Sequence, residues 1–534
     1  MDPSNVSLAS AGGMVPGAYL LQGAVELSRR AGLVQELLRS KSLPEAGWGD
    51  AAIEAFVADL AAMDSNGSSN GVGAGEREGR VYSALVRRRH WGFAHGVGRS
   101  GDLTAAQPKA AGSSLLQALC NRLALHAARV CGLSRTRSVL VLPLATGMSL
   151  SLCLGALRAA RGAGARHVIW PRCDQRSCLK SILTAGLVPC VVENALEGEE
   201  LRTDLGALEA AIEACGGPEA CCAVLTTTSC FAPRAPDRVV EVGRLCARLN
   251  IPHLVNHAYG LQASGLCGVL NEACRGWPPA PKHSTAQRPP PEEEAAGAAQ
   301  GEGTFAAAAA AEGGGGGGAT APASRVDAWV SSTDKNFLVP VGGALVGSPS
   351  PAFIDAVAAL YPGRASLSPI LDLFITLLGM GRNGLVGLLA QRKAAFAALA
   401  SSLEAVAGAV GERVLGSPHN PISMGLTLGA LCSRGAAGGG LQGADASGAD
   451  SAATYLGSML FSRGVSGTRV VPRGKASKVE GIAFSGYGSH CSDYPHGPYL
   501  TAAAAIGMTV EDVALFSARL RKALAEFHRQ GERG

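Results

Sequence analysis

The stretch Ser331-Ser332-Thr333-Asp334-Lys335-Asn336-Phe337-Leu338-Val339-Pro340-Val341-Gly342-Gly343 decides how the rest of the chain is read. It follows Val326–Val330, a short apolar run that reads as a strand. One lysine comes next, in a polar, turn-like segment, and an apolar run then closes on two glycines. A lysine so placed leaves the sheet edge and points into a cleft. Lysine amines react only when neutral, a state that burial and neighbouring cations favour. The plain alternative is a solvated loop lysine, since most lysines are exposed. The paired glycines weigh against it, because they let backbone approach a ligand closely.

Upstream, short apolar runs alternate with helical stretches. Strands are expected at Val139–Leu142, His167–Trp170, Pro189–Glu193, Ala223–Thr226 and His253–Val255, before Val326–Val330. Helices fit between them at Ser149–Arg161, Ser177–Ala185, Asp204–Ala214 and Asp237–Leu249. This rhythm implies an α/β fold with a mostly parallel sheet and helices on both faces. Helical periodicity also marks Ala18–Leu38, Leu115–Cys131, Leu367–Leu389, Arg392–Val410 and an amphipathic Val510–Phe527. The expected organisation is a helical extension over 1–64, a large α/β domain over 65–370 and a smaller α+β domain over 371–534. Two low-complexity stretches interrupt it. Residues 277–324, with proline runs, an alanine tract and six consecutive glycines, read as a disordered insertion, and 435–452 read as a flexible loop.

At 534 residues the chain is too long for one simple core. A net charge of +5 permits a nucleic-acid partner without requiring one. The first 30 residues lack a basic start followed by an apolar core, so the fifteen cysteines are expected to be reduced thiols in an intracellular, cytoplasmic protein. Cys221 and Cys222 are adjacent and no CxxC pair recurs at zinc spacing, so no metal site is expected. Ser138–Leu157 carries no charge, but Pro143, Thr146 and Gly147 fit a strand, a turn and a buried helix better than a membrane span.

Two further segments carry chemistry. Leu144–Ser149 lies between a strand and a helix start, where free N–H groups and the helix dipole suit a phosphate. Asn256 closes another strand, where open α/β sheets bind ligands, although a strand-to-loop cap would look the same. A phosphate loop, a polar strand end and a later lysine, in that order, form the constellation of a pyridoxal-phosphate enzyme of the aspartate-aminotransferase fold. Asn256 stands where that fold usually has Asp, and an amide cannot pair ionically with a pyridinium. A weaker electron sink favours elimination over transamination.

The chain resembles the O-phosphoseryl-tRNA(Sec) selenium transferase family, which makes selenocysteinyl-tRNA in eukaryotes and archaea. The matching blocks include GEREGR (75–80), HGVGRSGDLTAAQPKAAGSS (95–114), ATGMSL (145–150), WPRCDQRSC (170–178), SSTDKNFLVPVGGA (331–344), YPGRAS (361–366) and LGSMLFSRGVSGTRVVP (456–472). The resemblance implies that Lys335 is the catalytic, Schiff-base lysine. It implies that Ala145, Thr146, Gly147, Gln175, Asn256 and Arg77 contact pyridoxal phosphate. Arg99, Ser100, Gln107 and Arg364 match the pocket for the phosphate of phosphoserine or selenophosphate, a dianion suited to several directed donors. Glu76 matches a position that repels a free carboxylate. Arg275, Arg463 and Arg529 match contacts to tRNA. The implied reaction is β-elimination of phosphate from phosphoseryl-tRNA(Sec) and addition of selenium from selenophosphate. The implied assembly is a homotetramer of dimers with composite sites; neither a membrane nor DNA is an expected partner. Arg176 departs from the family, which often has Lys there. Two other functions compete: an enzyme of the same fold that installs sulfur on a tRNA-bound residue, and a silent tRNA-binding scaffold.

Overall fold

In the computed structural model, which describes residues 14–65, 72–76, 78–277, 323–437 and 446–533, the apolar runs become strands wherever both of their faces can be covered. They are β1 (Ser138–Leu142), β2 (His167–Pro171), β3 (Val188–Val192), a hairpin of β4 (Asn194–Glu197) and β5 (Glu200–Thr203), β6 (Cys221–Thr227), β7 (His253–Asn256), β8 (Ala328–Ser332) and β9 (Ala344–Ser348). Seven of them form one sheet in the order β1-β9-β8-β7-β6-β2-β3. The block from β3 to β8 is parallel. The alternation of side chains along a strand sends Val168 and Trp170 of β2 into one core and Ile169 into another. Helices Ala111–Val130 and Thr146–Arg161 cover the first face, and Leu205–Ala214 and Val239–Arg248 the second.

The six expected strands are present, and β9 is an addition. It runs antiparallel to both β8 and β1 and joins them. Three of its five residues, Ala344, Gly347 and Ser348, are small, and Gly347 has a packing reason to be glycine: an added Cβ would lie 2.1 Å from the Trp329 ring.

Helix Ser368–Ala409 was expected as two helices meeting near Leu389. It breaks instead at Gly381, with φ 59° and ψ −175°. The segment Pro44–Trp48 fills the break: Arg382 N–H donates to Pro44 O (2.8 Å), Asn383 N–H to Glu45 O (3.0 Å), and Trp48 N–H to Leu378 O (2.9 Å). A Cβ at Gly381 would stand 2.6 Å from Gly47 N. Gly381→Ala should therefore destabilise the fold by about 1–3 kcal/mol, read as a lower midpoint of urea unfolding. An unchanged midpoint would show that the segment yields freely. Among the described residues this is the one helix long and apolar enough to cross a membrane. Here its first half, from Ile370 to Leu385, packs into the large core, and its second half, from Ala395 to Ala407, into a separate one.

That second core lies against an antiparallel sheet of order β10-β14-β11, made of β10 (Ser423–Thr427), β11 (Arg469–Val471) and β14 (Tyr499–Ala503). A two-stranded hairpin, β12 (Ser477–Val479) with β13 (Ile482–Phe484), lies between the last two in sequence. The boundary expected at 370/371 falls in the first turn of the long helix. The expected N-terminal extension divides in two. Helix Gly17–Ser40 buries only Leu37, whereas Asp50–Ala62 buries Ile53, Phe56, Val57 and Leu60 in the core of the large sheet.

Residues 278–322 of the expected insertion lie outside the described residues. Its flanks are described. Ser324 N–H donates to Arg275 O (3.2 Å), and the Arg325 guanidinium sits 4.4 Å from the centre of the Trp277 ring. The two ends therefore meet. Replacing 278–322 by a short Gly/Ser link should leave turnover and assembly within about twofold of the full chain, because loop closure depends weakly on length. Loss of assembly or turnover in the shortened chain would assign the segment a structural role. The loop expected at 435–452 gives way to helix at both of its ends. Helices Gly429–Ala437 and Ala446–Ser462 enter it from both sides, since its alanines favour helix, and residues 438–445 lie outside the described residues.

Candidate active site

Lys335 owes its position to the residues on either side of it. β8 gives way at Ser332 to one helical turn, Thr333–Phe337, rather than to the open turn expected. Asn336 Nδ2 donates to Ala258 O (2.9 Å) and Ser332 O (2.7 Å), tying this turn to the chain beyond β7. Thr333 donates to Gly343 O through both its N–H (3.0 Å) and its hydroxyl (2.9 Å). Gly343 must lack a side chain, since a Cβ would lie 2.7 Å from Thr333 Oγ1. Phe337 is buried and Leu338 ends the turn in the left-handed region. The backbone of Lys335 is thus fixed, while its side chain is exposed to a cavity.

That cavity holds about 410 Å³ and is lined by Lys335 with Thr146, Gln175, Asn256, Tyr259 and Arg469, among others. It opens at the C-terminal ends of the parallel strands, where two helices begin side by side. Ala145 precedes the helix Thr146–Arg161 and Gln175 precedes Arg176–Thr184. The two starts are so close that a Cβ on Gly147 would lie 3.3 Å from that of Ser177. First-turn N–H groups have no partner within their own helix, so two sets of donors and two positive dipole ends converge on one space. This is an anion cradle.

Asn256, the last residue of β7, is buried, and its Nδ2 donates to Cys178 Sγ (3.0 Å). Its Oδ1 is buried with no partner. A buried acceptor left unmade costs about 1–3 kcal/mol, so this oxygen is set for a donor brought by a ligand. Gln175 is oriented by its bond from Nε2 to Ser229 O (2.8 Å). The Tyr259 hydroxyl is also buried without a partner, and its ring lies 6.0 Å from that of Phe231, over which the Arg469 guanidinium sits at 5.0 Å. Burial pushes the Tyr259 hydroxyl well up and the Cys178 thiol up to about 11, so both stay protonated at neutral pH. His257, next to Asn256, is pushed down to about 3 by burial and accepts or donates at Thr228 Oγ1 (2.7 Å); it is a neutral core residue.

Lys335, Thr146, Gln175 and Asn256 thus share one cavity, with Ala145 and Gly147 at its phosphate-suited rim. Arg77 lies outside the described residues. Arg99, Ser100, Gln107 and Arg364 gather at a second place. Val97 and Ala365 bridge as strand partners, and Arg364 donates to His95 O (3.0 and 2.7 Å) and Gly96 O (3.2 Å). Gln107 Nε2 reaches Gly98 O (3.3 Å), while Arg99 and Ser100 sit exposed at the loop tip. None of these four lines the Lys335 cavity. Glu76 is exposed on the segment leading to this loop. Arg463 is held at a helix end by Met459 O (2.8 Å) and paired with Glu526, three residues before the exposed Arg529 on the terminal helix. Arg275, also exposed, pairs with Glu272 at 3.4 Å. Sequence reasoning did not single out Arg469, Tyr259, Phe231, Ser177 or Tyr487 as cavity residues. Only Tyr259, three residues beyond Asn256, carried a local signal.

The family model described as O-phosphoseryl-tRNA(Sec) selenium transferase, SepSecS, matches residues 63–277 and 319–525. The chain belongs to this family. A Dictyostelium discoideum O-phosphoseryl-tRNA(Sec) selenium transferase is 40% identical over 523 residues, covering 97% of this chain and 98% of that one. The crystal structure of an archaeal O-phosphoseryl-tRNA(Sec) selenium transferase is similar with a TM-score of 0.76 at 27% identity, covering 96% of this chain and 98% of that one. An Oryza sativa TDC solved with PLP and tryptamine shares the fold alone, with a TM-score of 0.51 at 14% identity over 89% of this chain and 95% of that one. The selenium transferase fold of this chain is therefore that of the pyridoxal-phosphate enzymes of fold type I. The residues present fit that cofactor: two helix starts for its phosphate, the unsatisfied Asn256 Oδ1 for its ring, and an amine in the same cavity.

Proposed function

We propose that this chain converts O-phosphoseryl-tRNA(Sec) to selenocysteinyl-tRNA(Sec), with pyridoxal phosphate as cofactor and selenophosphate as selenium donor. The observation that carries the reading is the meeting of the Lys335 amine, two helix starts and an unsatisfied Asn256 oxygen in one cavity. Ala145, Thr146 and Gly147 hold the cofactor's phosphate through first-turn N–H groups, aided by Arg77. Asn256 and Gln175 hold its ring. Bound pyridoxal phosphate supplies an electron sink beside Cα of the phosphoseryl group.

Lys335 is the group that moves the proton. It takes the proton from Cα, the Cβ–O bond breaks, and phosphate leaves with the bonding pair. When the selenium of selenophosphate bonds to Cβ, Lys335 returns a proton to Cα; water then attacks phosphorus, the P–Se bond breaks, and free phosphate departs, leaving the selenol on the aminoacyl group. Arg99, Ser100, Gln107 and Arg364 receive the phosphate in both halves of the reaction. Glu76 repels a free carboxylate and so favours an esterified aminoacyl group. Arg463, with Arg275 and Arg529, positions the tRNA.

Within one chain the phosphate-binding group lies off the Lys335 cavity. It therefore serves the cavity of a second copy, and the working assembly is a homotetramer built from such dimers. The setting is the cytoplasm, consistent with fifteen cysteines that are all free thiols. Expressing the chain in a strain that lacks the phosphoseryl-to-selenocysteinyl step should restore selenoprotein synthesis. A folded, tRNA-binding protein that fails to do so would overturn the reading.

A further inference from the structure

At the opposite end of the parallel strands, three side chains converge that the reaction does not use. His167 opens β2, Cys190 lies in β3, and Cys215 ends the helix Leu205–Ala214. Period-two alternation turns His167 with Ile169, and Cys190 with Val192, to the face that this helix covers. His167 Nδ1, Cys190 Sγ and Cys215 Sγ all lie within 4.8 Å of one another. Cys190 Sγ is 3.5 Å from His167 Nδ1 and 2.9 Å from Cys215 Sγ. Cys221, the first residue of β6, lies beside Cys215.

A buried cysteine is ordinarily a small apolar side chain, and twelve of the fifteen here are buried in that way. Cys190, Cys215 and Cys491 are the half-exposed ones, and two of these three meet here beside an imidazole. Half-exposure gives a metal ion a path in. We propose that His167, Cys190 and Cys215, with Cys221 as the adjacent fourth donor, bind a soft divalent cation of the zinc class.

Zinc–sulfur bonds of about 2.3 Å and zinc–nitrogen bonds of about 2.0–2.1 Å set tetrahedral ligand atoms roughly 3.5–3.8 Å apart. The Cys190–His167 pair already stands at 3.5 Å. The two sulfurs need to part by only about 1 Å, within reach of side-chain rotation. Binding breaks the S–H bonds of the coordinating cysteines, releases those protons to solvent and forms sulfur–zinc bonds, with no change of oxidation state. The Cys215 thiol gives up its hydrogen bond to Ala211 O (3.0 Å) in the process. The donors come from two neighbouring strands, a helix end and the start of a third strand, so their sequence spacing has no recognisable zinc pattern. His167 lies roughly 13 Å along β2 from the strand end that faces the Lys335 cavity, so the ion staples the sheet edge and takes no part in turnover.

The test uses the full chain loaded with pyridoxal phosphate and stripped of metal under reducing conditions. Zinc alone, titrated against a chromophoric chelator, should bind at one equivalent per chain and raise the thermal unfolding midpoint. Cobalt alone should give a thiolate-to-metal charge-transfer band. Cys190→Ala with Cys215→Ala should abolish the equivalent and the band. His167→Asn, a milder change, should weaken binding by at least about tenfold. Cys491→Ala should leave binding intact, and all these variants should keep wild-type turnover. Absence of a stoichiometric site would overturn the proposal, as would a site that survives the double change. A Cys190–Cys215 disulfide that persists under the reducing conditions, seen as a mass two hydrogens lighter, would overturn it too.

Discussion

Lys335→Ala should abolish conversion of phosphoseryl-tRNA(Sec) while leaving the protein folded and able to bind tRNA. The side chain is exposed to the cavity, and the backbone carbonyl of Lys335, which alanine keeps, accepts from Gln262 Nε2 at 3.3 Å. Thr333 and Asn336 hold the turn on either side through their own bonds, and alanine favours that helical turn. Unfolding stability should therefore stay within about 0.5 kcal/mol of wild type. Loss of a positioned acid–base group alone costs about 10²–10⁴ in rate. In the proposed reaction the same amine also anchors the cofactor, so the loss should exceed that range. The checks are single-turnover conversion, the absorbance of the bound cofactor and a urea melt on one preparation. Retained conversion, with a normal melt, would remove Lys335 from the mechanism.

Arg99→Ala and Arg364→Ala should both lower turnover by about ten- to hundredfold, the effect of removing a charge-assisted donor worth roughly 1.5–3 kcal/mol. They should differ in stability. Arg99 sits exposed at the loop tip, and its known fold contacts are the backbone bonds it exchanges with Asp102 at 2.8 and 3.1 Å. Alanine keeps those bonds, so the melt should not move. Arg364 ties its strand to the carbonyls of His95 and Gly96, so Arg364→Ala should also unfold earlier. Cofactor absorbance should persist in both. Because the arginine group lies away from the Lys335 cavity of its own chain, mixing should reveal the sharing. Co-expressed Lys335→Ala and Arg99→Ala chains should regain about a quarter of wild-type activity, since one site in two of the mixed pairs is intact. No recovery in mixed assemblies would place both groups in one chain.

Six strands of the large sheet were legible in the sequence because each is a short apolar run between breakers, and all but the edge strand β3 are largely buried on both faces. β9 was not, since alanine, glycine and serine supply little of its apolar signal and its fit depends on the Trp329 ring. Gly381 was hidden for a related reason: only the inserted Pro44–Trp48 segment, more than 330 residues earlier in the chain, explains a break there. At the site, Lys335, Asn256 and the Ala145–Gly147 turn follow strands directly, so local pattern exposed them. The arginine loop was legible only through the family's blocks. Arg469 and Tyr487 reach the cavity from the smaller domain, a contact that no local spacing encodes.

The most direct measurement is a single-turnover assay of the purified chain, loaded with pyridoxal phosphate, on phosphoseryl-tRNA(Sec) with radioactive selenophosphate. Selenium should appear on the esterified amino acid, be released from the tRNA by mild base, and be absent with Lys335→Ala. Intact phosphoserine after incubation with wild type, or selenium transfer that survives Lys335→Ala, would contradict the account.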